Sequence, residues 1–168
     1  MNKPQPHAGP VPGPGIAPGE QGRPDLRRRA WMGLFARAER GQLEAFLKRE
    51  ASDVAVHPVR GPETGLVMVR GRIGGGGAPF NLGEATMSRA SIRLEDGTIG
   101  HGQLLGSDRA HARLAAILDA LGQTAAFTAR VAALTQEIEA RLTADDEGRA
   151  EETAATRVDF FTMVRGED

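Results

Sequence analysis

The stretch "SIRLEDGTIGHGQLL" (residues 91–105) decides how the chain folds. Apolar and polar residues alternate on both sides of Asp96-Gly97, a dipeptide that favours a two-residue β-hairpin turn. Residues 80–95 and 98–105 therefore read as adjacent antiparallel strands. With Glu95 opposite Thr98, Leu94 pairs with Ile99 and Ile92 with His101, which places His101 on the apolar face. The other face then carries Arg93 opposite Gly100, with Arg89 near Leu104. Met87 falls out of phase with Ile92 and Leu94, so a bulge is expected between them.

Upstream, "DVAVHPVR" and "TGLVMVRGRI" are short β-branched runs that read as two more strands, with Pro58 demoting the first to an edge or broken strand. The expectation is an α+β fold: a four-stranded antiparallel meander packed with amphipathic helices before and after it. Before the sheet, Asp25 reads as an N-cap, and Leu26, Ala30, Trp31, Leu34 and Phe35 follow helical spacing. Gly41 breaks that pattern, and Leu43, Phe46 and Leu47 form a second short helix. Arg27, Arg28, Arg29, Arg37 and Arg40 read as a solvated face. After the sheet, Ser107 reads as an N-cap with Asp108 in the first turn. Ala110, Leu114, Ile117, Leu118 and Leu121 make an apolar stripe ending at Gly122. Phe127, Val131, Leu134, Ile138 and Leu142 make another, "TADDEG" reads as a polar linker, and residues 149–156 as a weak helix.

The chain has 168 residues, enough for one domain with a real core. Its net charge of −1 argues against a nucleic-acid or membrane partner. All basic residues except Lys3 and Lys48 are arginine. Cysteine is absent, which excludes disulfides and Cys-ligated zinc or iron–sulfur sites within this chain. No apolar run approaches the roughly 20 residues needed to span a bilayer. The N-terminus lacks the apolar region of a secretory signal, so a cytoplasmic location is expected. Residues 1–24 hold seven of the ten prolines and have little apolar surface, and read as a disordered extension. Residues 25–168 read as a single α+β domain ending in a docking tail.

Few residues carry chemistry. The run Gly74, Gly75, Gly76 and Gly77 fits neither the phosphate-loop nor the dinucleotide-binding template. Its backbone amides with Arg70, Arg72 and Arg89 nearby form a candidate anion nest; the alternative is a loop placed where another backbone passes closely. His101, on the expected apolar face, reads as a core residue or as a ligand or base. His111 reads as exposed beside Asp108, and His57 as a loop residue. No histidines share a metal-ligand spacing and no Ser/His/Asp arrangement stands out, so no metal and no self-contained active site are expected. The terminal "VDFFTMV" packs five apolar residues into seven without a clean period. Val158, Phe160, Phe161, Met163, Val164 and Arg165 are candidate partner-interface residues, or the segment is a last piece of the chain's own core.

"ETGLVMVRGRIGGGGAPFNLGEATMSRASIRLEDGTIGHG", "SDRAHARLAAILDAL" and "RVDFFTMVRGED" together resemble the PhnG family, subunits of the phosphonate carbon–phosphorus lyase system. The resemblance covers residues 26–168. The sequence departs from the family at Gly106-Ser107-Asp108, where Gly-Arg-Asp is common. The resemblance implies a core complex with PhnH, PhnI and PhnJ, joined transiently by the ATPase-like PhnL. It implies transfer of an alkylphosphonate onto the ribose of MgATP with release of adenine. It places nucleosidase-like chemistry on PhnI and radical SAM iron–sulfur chemistry on PhnJ, with no cofactor in this chain.

Three readings follow. The first is a non-autonomous subunit of a multi-subunit transferase, a ribose 1-methylphosphonate 5-triphosphate synthase, not catalytic alone. The second is a stand-alone enzyme or anion-binding protein acting on a phosphorylated small molecule through Arg72, Arg89 and His101. The third is a structural adaptor without a ligand. Because residues 1–24 have no apolar pattern to bury, their deletion is expected to leave the melting temperature and partner assembly unchanged. A fall of several degrees in a thermal melt would contradict this.

Overall fold

The computed structural model describes residues 24–72 and 77–155, so residues 1–23 of the proline-rich extension, most of the glycine run and the terminal segment 156–168 lie outside the described residues. The element order is α1 (Pro24–Arg37), α2 (Arg40–Glu50), β1 (Val56–Arg72), β2 (Pro79–Leu94), β3 (Ile99–Leu105), α3 (Arg109–Gly122) and α4 (Thr128–Ala155). The sheet has three antiparallel strands in the order β1-β2-β3. The expectation of four strands is corrected: the two upstream segments are one 17-residue strand. Pro58, expected to make the first segment an edge or broken strand, and the Gly61-Pro62 dipeptide between the two segments are absorbed by register shifts between Pro58 and Arg60 and between Arg60 and Glu63, and pairing with β2 then resumes.

The hairpin is also one residue off the expected register. Leu94 donates its N–H to Thr98 O at 2.9 Å and Gly97 donates to Leu94 O at 3.0 Å, with Gly97 at φ 87°. Glu95, Asp96 and Gly97 thus form a three-residue loop closed by a glycine in the left-handed region. Asp96 accepts a hydrogen bond from Thr98 N at 2.9 Å, which holds its carboxyl below the usual range. Arg93 now faces Ile99, Ile92 faces Gly100, and Ser91 faces His101. A slip of one residue moves every side chain of β3 to the opposite face. No bulge interrupts β2 between Met87 and Ile92: Met87 belongs to the outer face, in phase with Arg89, Ser91 and Arg93.

The consequence is that Gly100 and Gly102 lie on the core side, beneath α3. A Cβ on Gly100 would overlap Ala116 O and stand 2.6 Å from Ala120 N. One on Gly102 would overlap Ala112 O and stand 2.5 Å from Ala116 N. The helix backbone rests on the strand backbone because neither surface carries bulk, with Ala112, Ala116 and Ala120 opposite the glycines. The expected stripe on α3 is therefore incomplete. Ala110 is exposed, Leu114 is half-buried, and Ala112, Ala115, Ala116, Ile117, Leu118, Ala120 and Leu121 are buried. Strands, α1, α2 and α4 surround this helix. Phe35, Leu43, Ile92, Val131 and Ile138 complete an aliphatic core.

Other local corrections share one cause, side chains that find tertiary partners. Asp108, rather than Ser107, caps α3, accepting from His111 N at 2.9 Å. That bond, aided by Arg40, keeps the Asp108 carboxyl below its ordinary range against a smaller opposing effect of desolvation. His111 is buried, its Nε2 2.8 Å from Phe35 O. α1 starts at Pro24, where a missing N–H costs nothing, and Gly41 lies inside α2. The "TADDEG" segment is helical within the 28-residue α4. Arg141–Asp145 and Arg149–Asp146 pairs at one-turn spacing support it, and its single glycine costs only about 1 kcal/mol.

β3 stops at Leu105, opposite Met87. Beyond that point β1 and β2 continue alone, from Leu66↔Thr86 to Arg72↔Pro79, as a two-stranded arm about 23 Å long. α4 leaves the body at the same end: Arg141 reaches Glu39 at 3.2 Å, next to Arg40, which reaches the α3 cap Asp108 at 3.3 Å. Residues 142–155 then run on for about 20 Å, exposed from 143 to 153.

Gly102→Val is expected to destabilise the chain by about 3 kcal/mol or more, because it must lift α3 off the sheet. Gly65→Val, where nothing lies within 4 Å, is expected to cost far less. Urea denaturation of the two variants checks the contrast.

Candidate functional site

The outer face of the sheet gathers the polar residues of all three strands. His57, Arg93 and Ile99 form one row, Arg60, Ser91 and His101 the next, and Glu63, Arg89 and Gln103 the third. Glu63 Oε1 accepts from Arg89 Nε at 2.7 Å and from Arg60 Nε at 2.8 Å. The Arg89 bond first, and the Arg60 bond second among the favourable contacts, hold the Glu63 carboxyl below its usual range. His101 is exposed on this face with its Nδ1 2.8 Å from Ser91 Oγ, and is not a core residue. His57 is in β1, where its Nε2 meets Glu95 Oε1 at 2.6 Å.

The three expected anion-binding side chains are not gathered. Arg89 and His101 are diagonal neighbours across β2 and β3, but Arg89 is engaged by Glu63. Arg72 pairs with Pro79, ten residues along β2 from Arg89 and about 30 Å away. At the distal end of the arm Arg72 Nη1 donates to Gly77 O at 3.3 Å. Gly74, Gly75 and Gly76 lie outside the described residues, as do Val158, Phe160, Phe161, Met163, Val164 and Arg165.

Two features escaped sequence reading. The first is Asp119, 3% exposed, which takes both Arg28 nitrogens at 2.8 Å and the His101 backbone N–H at 2.8 Å. Arg28 thus belongs to an internal ion pair rather than to a solvated face. Burying a carboxylate among alanines is tolerable only with such partners, so a lone Asp in an apolar helix was the available signal. The second is the arm itself. Leu66 and Leu82 are 64% and 61% exposed, and Met68, Val69 and Phe80 are also open. A run that is apolar on both faces reads as a buried strand, yet here no described residue covers it.

The Ser91–His101 pair sits on an open face with no carboxylate bonded to the histidine. Among the described residues no group of three or more His, Cys, Asp or Glu side chains is placed to hold a metal. No described helix is long and apolar enough to cross a membrane. What the chain offers is surface: a charged sheet face and a bare apolar arm.

That is the organisation of a subunit, and comparison with known proteins agrees. The family model for the phosphonate metabolism protein PhnG matches residues 26–166, and the chain belongs to that family. It is similar to the alpha-D-ribose 1-methylphosphonate 5-triphosphate synthase subunit PhnG of Rhizobium meliloti (strain 1021). The two are 65% identical over 142 residues, covering 84% of this chain and 91% of that relative.

The placement of His101 and Asp119 generates a contrast. His101→Ala is expected to change stability by no more than about 0.5 kcal/mol, as befits an exposed side chain. Asp119→Ala strands a buried N–H and Arg28, and is expected to cost about 1–3 kcal/mol. Equal losses in chemical denaturation would restore His101 to the core.

Proposed function

We propose that the chain is a non-autonomous subunit of a ribose 1-methylphosphonate 5-triphosphate synthase. In that reaction a phosphonate oxygen displaces adenine from the ribose carbon of MgATP. A carbon–oxygen bond replaces the carbon–nitrogen bond, the phosphonate hydroxyl gives up its proton, and the departing adenine takes one up. Its partners are PhnH-, PhnI- and PhnJ-like subunits, with a PhnL-like ATPase joining transiently, and it acts in the cytoplasm. This chain brings no cofactor of its own; iron–sulfur and SAM chemistry belongs to a partner.

The observation that supports this reading is the unsupported arm. An isolated two-stranded ribbon is marginal in water, and this one exposes large apolar side chains. Covering Leu66, Leu82, Met68 or Phe80 fully contributes on the order of 1.5–3 kcal/mol each, enough to decide whether a complex forms after association costs. The arm also carries Arg72 and Gly77 away from the body, and any anion contact made there is shared with a partner. Val158, Phe160, Phe161, Met163, Val164 and Arg165 join the proposed partner contacts on the strength of their dense apolar sequence alone.

The test is co-expression with the partner subunits. Leu66→Ser combined with Leu82→Ser is expected to reduce co-purification at least tenfold while the circular dichroism of the isolated chain stays unchanged. Gly75→Val is expected to lower the activity of the complex more than the stability of the chain. Undiminished assembly of the double variant would remove the arm from the account.

A further inference from the structure

At the hairpin end of the sheet, opposite the arm, two clefts flank Val54 in the α2–β1 connection. The first, of about 360 Å³, has a floor of Leu94, Leu121 and Phe127 and a rim of Asp53, Glu95 and Asp96. The second, of about 340 Å³, has a floor of Leu47, Leu114 and Ile117 and carries Lys48 and Arg113. Val54 lines both. The two clefts have apolar floors and opposite charge.

These charges are not spent within the fold. Arg28, Arg40, Arg60, Arg89, Arg130 and Arg141 all have carboxylate partners. By contrast, among the described residues Asp53 and Asp96 meet no cation at ion-pair distance, and Lys48 and Arg113 meet no carboxylate. Asp53 and Asp96 have only neutral neighbours, Ser52 and Thr98. Glu95 is shared with His57. The backbone bond to Asp96 favours its ionised form.

We propose that these clefts form a second docking site, distinct from the arm, for an extended segment of a partner subunit. That segment places an arginine or lysine in the acidic cleft and a carboxylate against Lys48 and Arg113. The proposal rests on the subunit reading, which supplies the partner. A long cationic side chain fits the first cleft chemically: its methylene stem covers Leu94, Leu121 and Phe127 while its head reaches the rim. The charge pattern fixes the direction of the segment, since reversing it sets like charges together. A purely apolar occupant would leave both sets of charges facing a dry surface, which is costly.

Two experiments on the full chain test this. In the first, amide NMR follows titration with N-acetyl-arginine methylamide at low salt. Saturable shifts at Leu94, Thr124 and Phe127 are expected, weakened at least fivefold in Asp53→Asn/Glu95→Gln/Asp96→Asn. Shifts scattered over the surface, or equal in the variant, would overturn the acidic cleft as a cation site. In the second, the same variant and Lys48→Gln/Arg113→Gln are co-expressed with the partner subunits. Each is expected to lower co-purification at least fivefold at low salt, with the difference shrinking at high salt. Wild-type assembly matched by both variants would overturn the proposal and leave the subunit reading standing. If the wild-type chain captures no partner, both fall.

Discussion

The contact on which the structure depends is that of α3 against β3. Gly100 and Gly102 present bare backbone, and the alanines of α3 settle onto it so closely that a single Cβ at either glycine would meet helix backbone. This fixes which face of the sheet is inside. It brings Asp119 within reach of the His101 N–H and of Arg28, so strand, α3 and α1 are tied at one buried carboxylate. Ile99 O accepts from Gln123 at 3.0 Å, which occupies another outward group of this edge strand.

The same contact explains the arm. α3 covers the sheet only where β3 underlies it, and β3 has seven residues against 17 and 16 in its neighbours. Among the described residues, the excess length of β1 and β2 has neither a third strand nor a helix behind it. Among the described residues the molecule therefore divides into a packed body and a ribbon whose apolar side chains are left exposed. This division suits a subunit, whose body keeps its own fold while the ribbon is open to partners.

Much of the fold was legible because it depends on local pattern. The strands at 80–95 and 98–105, the helical stripes through Phe35, Leu43, Ile117 and Val131, and the α+β class all follow from period and turn signals. The family resemblance, carried by long segments, was legible as well. The register was not. Asp96-Gly97 suits a two-residue turn and also a three-residue loop ending in a left-handed glycine, and the choice reverses the role of His101. The glycines that settle it look, in sequence, like a flattened outer face. The strand count failed at Gly61-Pro62, because a long strand with shifted register reads like two short ones. Arg89 and His101 come together as diagonal neighbours, but Arg72 lies about 30 Å along the arm, since hairpin strands carry residues apart as fast as they bring others together. Asp119 was signalled only as a lone carboxylate in an apolar helix, and the unpaired charges around Val54 had no sequence signal beyond their identity.

Hydrogen exchange measured on the chain alone and in the assembled complex tests the central claim most directly. The account predicts that amides of residues 66–72 and 79–86 exchange rapidly in the isolated chain and become protected by orders of magnitude on assembly. Those of β3 and α3 should be strongly protected in both states. An arm already as protected as β3 in the isolated chain, or one that stays unprotected in the complex, would contradict it.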